Sequence, residues 1–201
     1  MFFSFDGVDG VGKSTQIRML AEALRQRGRE VITCRDPGST ALGERLREIL
    51  LNHHATPIHR RAEMLLYMAA RAQLVEEVIR PALAAGQIVL SDRYLLANVV
   101  YQAHAGGLNP DDVWRVGEVT VAGVLPRLVF LLDMSAERAS SRIQRAPDRM
   151  EAQGLEYLEG VRQGFLSEAR RLPQQIVIID AESSAEAIHA AVLAAAERVL
   201  R

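Results

Sequence analysis

Cysteine and lysine each occur once in this chain, as Cys34 and Lys13. A lone thiol excludes an intrachain disulfide, and at the end of an apolar run Cys34 is expected to be a small core residue. The shortage of lysine is more informative. All other side-chain positive charge is arginine, so the one ammonium marks a place that wants a compact point charge instead of a planar fork. There is no excess of either charge sign: the net charge is −1, and no basic run stands out. That argues against a nucleic-acid-binding surface. No apolar run is long enough to span a bilayer, and the first residues enter an apolar stretch without a basic leader. The expected location is the cytoplasm, with no membrane contact. Repeats, linkers and low-complexity segments are also missing, so residues 1–201 are expected to form a single domain. At this length, with 49% hydrophobic and 24% charged residues, such a domain buries roughly 70% of the surface its unfolded chain exposes.

The lone lysine sits in the most specific motif of the chain. Phe2-Phe3-Ser4-Phe5 reads as a short strand, and Gly7-Val8-Asp9-Gly10-Val11-Gly12-Lys13-Ser14 follows it. This octet matches G-x-x-x-x-G-K-[ST], the phosphate-binding loop. Its glycines let the backbone come close to an anion, with successive N–H groups turned inward at the start of a helix. Lys13 is expected to reach the β- and γ-phosphates of a nucleotide and Ser14 to hold Mg²⁺. Thr15 continues into apolar residues at helical spacing.

Further along, Glu30–Cys34, Ile88–Leu90, Leu128–Asp133 and Ile176–Asp180 read as strands, each preceded by helical patterns. Between Arg60 and Ala85 the apolar residues suit one long helix, or two separated near Pro81. Asn109-Pro110-Asp111-Asp112 has the cap, proline and acidic first turn of a helix start. Strands alternating with helices predict an α/β fold: a five-stranded parallel sheet with helices on both faces, in the three layers of P-loop NTPases. Ligands are expected at the C-terminal ends of its strands.

Three charged clusters fall near those ends. Asp92 closes the third strand, where a carboxylate can hold Mg²⁺ directly or through water, and Arg93 beside it can bridge two phosphates. Arg142, Arg145 and Arg149 lie on a polar segment near 142–154. An arginine-bearing lid supplies both positive charge and exclusion of water to phosphoryl transfer. Arg35, Arg45 and Arg47 form the third cluster, suited to the phosphate of an acceptor.

Taken in order, these motifs resemble the thymidylate kinase family, along nearly the whole chain. Phe5-Asp6-Gly7-Val8-Asp9-Gly10 through Thr15-Gln16 is similar to the family's opening, and Arg35-Asp36-Pro37-Gly38 to its Arg-Glu-Pro-Gly loop. Leu65-Leu66-Tyr67 with Arg71-Ala72-Gln73 resembles the base-binding helix. Asp92-Arg93-Tyr94 with Tyr101-Gln102 is similar to its signature, and Asp148-Arg149-x-Glu151 to its lid. The resemblance implies transfer of the ATP γ-phosphate to dTMP, with Mg²⁺, in a homodimer joined partly through residues 64–83. It implies that Tyr67 stacks on thymine, Arg71 and Asn98 read the base edge, and Tyr101 crowds the sugar's 2′ position. Arg47 would bind the acceptor phosphate, and Asp9 would lie near the dTMP sugar, phosphate and metal. Arg93 would sit between the two nucleotides. With Val11 where some members place an arginine, the catalytic arginines are expected from the lid. Three departures bear on the acceptor side. Asp36 is one methylene shorter than the usual glutamate, shortening its reach to the metal or phosphate shell. Ala70 stands where an aspartate often precedes Arg71, removing an orienting partner, and Ala97 replaces a common serine. Two other readings remain: a kinase of another nucleoside monophosphate or deoxynucleoside, and a catalytically silent nucleotide-binding regulator.

Overall fold

A computed structural model describes residues 1–52, 57–146 and 148–200. Pro147 of the expected lid and the terminal Arg201 lie outside the described residues. Five strands, β1 (Phe2–Asp6), β2 (Val31–Arg35), β3 (Ile88–Asp92), β4 (Leu128–Asp133) and β5 (Ile176–Asp180), make a wholly parallel sheet in the order β2-β3-β1-β4-β5. Every residue of the central β1 is buried, as parallel pairing under helices requires. Alternation along β1 sends its side chains to two layers. Phe3 and Phe5 turn to one face and pack on Phe130, with ring centroids 5.7 and 5.0 Å away. That core also holds residues of α1 (Lys13–Gln26), α8 (Leu155–Arg171) and α9 (Ala185–Leu200). Phe2 turns to the other face, where its ring meets Tyr94 edge-on at 4.9 Å. There the core is built from α3 (Arg60–Leu74), α4 (Arg80–Ala84), α5 (Leu95–Asn98) and α6 (Pro110–Val121).

The register brings the carboxyl ends of the strands level, pairing Phe5 with Asp92 and Asp6 with Leu131. The first loop, the end of β3 and the helices after them therefore open on one edge of the sheet. Two more helices, α2 (Ala41–Leu51) and α7 (Ala136–Ser141), flank that edge.

Two segments depart from the expected helical geometry. The stretch over 60–84 is continuous but contains a π turn, Val75–Ile79, where Arg80 N–H reaches the Val75 carbonyl. Pro81 lacks an N–H and its ring crowds the carbonyl one turn back, so a widened turn just before it lets the helix continue unbroken. The helix begun by α5 likewise passes into a π segment, Val99–His104, which carries Tyr101 and Gln102. Cys34 is buried, and burial pushes its thiol up to about 12.

Candidate active site

The loop after β1 is shaped by its glycines. Gly12 caps α1 at φ 97°, a left-handed conformation, with open space in front of its α-carbon. A side chain on Gly10 would run into the Ala139 backbone carbonyl. No side chain caps α1, so its first N–H groups are left to an anion. Lys13 is buried and curls over the loop. Its Nζ donates to the Gly7 carbonyl (3.2 Å), the Val8 carbonyl (2.9 Å) and Asp9 Oδ1 (3.3 Å). Ser14 and Thr15 are exposed on the first turn of α1, and Ser14 Oγ lies 3.3 Å from Asp92 Oδ2. A hydroxyl and a carboxylate meeting beside a phosphate loop suit Mg²⁺, which takes few protein oxygens and fills its shell with water and phosphate. The donor set therefore fits the ion.

Beneath the loop, Asp6 is fully buried, and neither carboxylate oxygen has a hydrogen-bond partner among the described residues. Burial raises this carboxyl to about 7, against the pull of Arg93 and Lys13.

Asp9 ties the loop to the rest of the site. It accepts from Lys13 and, at 2.8 Å, from Arg93. Burial pushes the Asp9 carboxyl up, but these two cations outweigh it and hold it well below the usual carboxylate range. Arg93 itself has φ 67°, an uncommon conformation for a residue with a side chain. Its N–H donates to the Phe5 carbonyl, fixing the turn out of β3. Its guanidinium donates to the Gly7 carbonyl (3.1 Å) and Tyr101 Oη (3.1 Å), with its carbon 4.9 Å from the Tyr101 ring centre. Burial opposes that charge, yet Asp9, Tyr101, Asp92 and Asp6 together raise the guanidinium's pKa further.

Past Arg93 a pocket opens, walled by Arg47, Tyr67, Arg71, Asn98 and Tyr101, with Asp9 at its mouth. The sequence assigned these residues to one substrate, and the fold brings them to one cavity. Arg71 is fully buried. Its Nε donates to Asp36 Oδ2 at 2.5 Å, and its other nitrogens donate to Asn98 Oδ1 (2.9 Å) and the Tyr94 carbonyl (3.3 Å). Asp36, whose shorter side chain was expected to lose reach toward the metal or phosphate shell, turns to Arg71 instead. Its short side chain is spent on Arg71, supplying the orienting carboxylate that Ala70 lacks. Burial raises the Asp36 carboxyl, and Arg71 opposes the shift.

The third arginine cluster divides. Arg47 lines the pocket and donates to the Pro37 carbonyl at 3.0 Å, whereas Arg35 pairs with Glu44 at 2.7 Å and Arg45 is exposed. The arginines of the expected lid are separated too. Arg142 reaches the Ala181 carbonyl (3.4 Å), and Arg145 pairs through both terminal nitrogens with Glu151 at 2.7 Å, beside the pocket. Arg149 donates to the Leu50 carbonyl (2.7 Å) and to Glu63 (2.5 Å). All three are engaged with protein groups in this arrangement, with no common focus.

Three residues of this architecture escaped the sequence reading: Asp6, Glu63 and Gln102 in its pairing role. A signal existed for the last two. Gln102 stands four residues after Asn98, and Glu63 eight before Arg71, spacings that share a helix face. Which face meets which is tertiary information.

Comparison with known proteins reports the same architecture. A family model described as thymidylate kinase matches residues 5–192. A thymidylate kinase of Rhodopirellula baltica is 45% identical over 185 residues, covering 92% of this chain and 75% of that protein. One from Caldanaerobacter subterraneus subsp. tengcongensis is 40% identical over 201 residues, covering 100% of this chain and 96% of its own. Among solved structures, a thymidylate kinase from Ehrlichia chaffeensis superposes with a TM-score of 0.77 at 26% identity, covering 98% of each chain.

Proposed function

Because this chain belongs to the thymidylate kinase family, enzymes that phosphorylate dTMP to dTDP with ATP, we propose how its own residues divide that work. The observation that carries the proposal is the Asp9 bridge. One carboxylate pairs with Lys13 of the phosphate loop and with Arg93 at the mouth of the pocket, so donor and acceptor phosphates meet across it.

Gly7, Val8, Asp9, Gly10, Val11, Gly12, Lys13, Ser14 and Thr15 hold ATP. When ATP arrives, Lys13 exchanges loop carbonyls for phosphate oxygens. Ser14 and Asp92 hold Mg²⁺, which when bound neutralises phosphate charge. Tyr67 offers a stacking face to thymine, Arg71 and Asn98 meet its edge, and Tyr101 fills the space beside the sugar's 2′ carbon. Arg47 and Arg93 bind the dTMP phosphate. Arg142, Arg145 and Arg149, on a lid at about 142–154 within one working unit of 1–201, leave their present partners as the lid closes and face the transferring group. Catalysis then rests on fixed positive charge that need not reorganise during transfer. The proposal includes a cytoplasmic enzyme of dTTP biosynthesis that uses no nucleic-acid or membrane partner. It also includes a homodimer, supported by exposed Ala62, Leu65 and Ala69 along one stripe of α3.

ADP release from ATP, with and without Mg²⁺, in the presence of dTMP, dUMP, UMP or dGMP, tests this division. The expected order is dTMP before dUMP, with UMP and dGMP poor and no turnover without the metal. Preference for UMP or dGMP would move the chain's acceptor to another nucleoside monophosphate.

A further inference from the structure

Behind the pocket, a line of buried polar side chains runs between α3 and the segment 95–104. Glu63 is fully buried in the first turn of α3 and does not line the pocket. Its Oε1 accepts from Gln102 Nε2 at 2.9 Å and Arg60 at 3.0 Å, and its Oε2 from Arg149 at 2.5 Å. Gln102 Oε1 in turn accepts from Asn98 Nδ2 at 2.6 Å, and Asn98 Oδ1 accepts from Arg71 at 2.9 Å. Arg71 is clamped on its far side by Asp36.

Both ends of this relay are single-valued. An ionised carboxylate only accepts hydrogen bonds and a guanidinium only donates them, whereas each amide between can face either way. With Glu63 at one end, Gln102 must turn its NH₂ to the carboxylate and its oxygen to Asn98. Asn98 must then turn its NH₂ to Gln102 and its oxygen to Arg71. The two amides have one arrangement, and both line the pocket. Its inner wall is left with a guanidinium donor beside an amide oxygen acceptor.

We infer that Glu63 is a positioning residue for base selection, setting the donor–acceptor order of the pocket wall through Gln102 and Asn98 without touching the substrate. The order suits a 4-oxo pyrimidine, whose O4 accepts and N3–H donates. It opposes a 4-amino pyrimidine, which presents a donor and a bare ring nitrogen in those places. This deepens the acceptor assignment proposed above and rests on it.

Glu63→Gln keeps the volume and removes the acceptor-only end, so Gln102 can turn over and set its NH₂ against Asn98. The measurement is kcat/KM for dTMP and for dCMP in wild type, Glu63→Gln and Glu63→Asp. The expected result is a dTMP/dCMP ratio lowered at least about tenfold in Glu63→Gln, mostly through a higher KM for dTMP, and recovered in Glu63→Asp. A purely structural role would lower Tm and both kcat/KM values in proportion, leaving the ratio unchanged, and that outcome overturns the inference. Should Glu63→Gln not fold, Gln102→Met cuts the relay and leaves the Arg60 and Arg149 pairs of Glu63 in place. Its ratio must fall likewise, and an unchanged ratio overturns the inference just as well. A wild type that does not favour dTMP over dCMP would instead refute the acceptor assignment.

Discussion

Lys13 and Asp6 show how much the surroundings of a residue change its meaning. Lys13 lies in a loop, yet it is buried and bonded to two carbonyls and a carboxylate. Lys13→Ala is therefore expected to act twice. Loss of charge at the transferring phosphate should lower kcat by roughly 10²–10³, and the orphaned loop acceptors should cost about 1–2 kcal/mol of stability. Steady-state kinetics beside a denaturant titration would separate the two, and a variant with half the wild-type turnover would end the phosphate-loop assignment. Asp6 carries a pH dependence. Its folded pKa is raised from 3.8 to about 7, so the folded state binds the extra proton between those values. Its contribution is fully present below about pH 4 and is lost as pH rises through 7. At roughly 1.4 kcal/mol per pK unit, the loss is about 4 kcal/mol. Asp6→Asn, without nucleotide, should flatten that decline, so that its stability relative to wild type improves from pH 5 to pH 8. Parallel pH profiles for the two proteins would show that Asp6 is not the group responsible.

At the scale of elements, α8 is the brace behind the pocket. Gly164 on α8 faces the π segment that bears Tyr101 and Gln102. A Cβ there would lie 2.7 Å from His104 Cβ and 3.0 Å from Val100 Cγ1. One turn earlier, a Cβ on Gly160 would meet nothing within 4 Å. The two glycines thus predict opposite outcomes for the same substitution. Gly164→Ala should destabilise by about 1–3 kcal/mol through overpacking and raise KM for dTMP by shifting Tyr101. Gly160→Ala should stabilise by up to about 1 kcal/mol from helix propensity alone. Thermal unfolding of both variants checks the pair, and equal shifts of one sign would mean that α8 does not seat the π segment as described. Two helices joined this tightly also explain why a π turn survives at Val99–His104. The widened turn re-aims Tyr101 and Gln102, and close packing offsets its weaker hydrogen bonding.

At the scale of the whole molecule, the exposed face of α3 is an apolar stripe that the site does not use. Met64, Met68 and Leu74 are buried within the chain, whereas Leu65 keeps 52% of its surface exposed. For the proposed homodimer, the outward positions of that helix are the ones free to meet a partner. Leu65→Glu should weaken self-association by at least about tenfold while leaving the fold intact, measured by sedimentation equilibrium. A wild type that sediments as a monomer at micromolar concentration would remove the homodimer from the proposed function.

Read alone, the sequence carried the strand–loop–helix at its start and the parallel sheet. Those are local or periodic features: a glycine spacing, a two-residue or 3.6-residue rhythm, a motif whose chemistry is contained in eight residues. It placed Arg71, Asn98 and Tyr101 in one site, but only through resemblance. What the tertiary structure decided is who faces whom. Asp36 and Arg71 are 35 residues apart, Glu63 and Gln102 are 39, and Glu63 and Arg149 are 86. Such pairs have no periodic trace, because a buried charge is satisfied by whichever partner packing brings within 3 Å. Side-chain direction in the amide relay is likewise imposed from its two charged ends, both on α3, and the amides reach them only when α3 lies against the helix that follows β3.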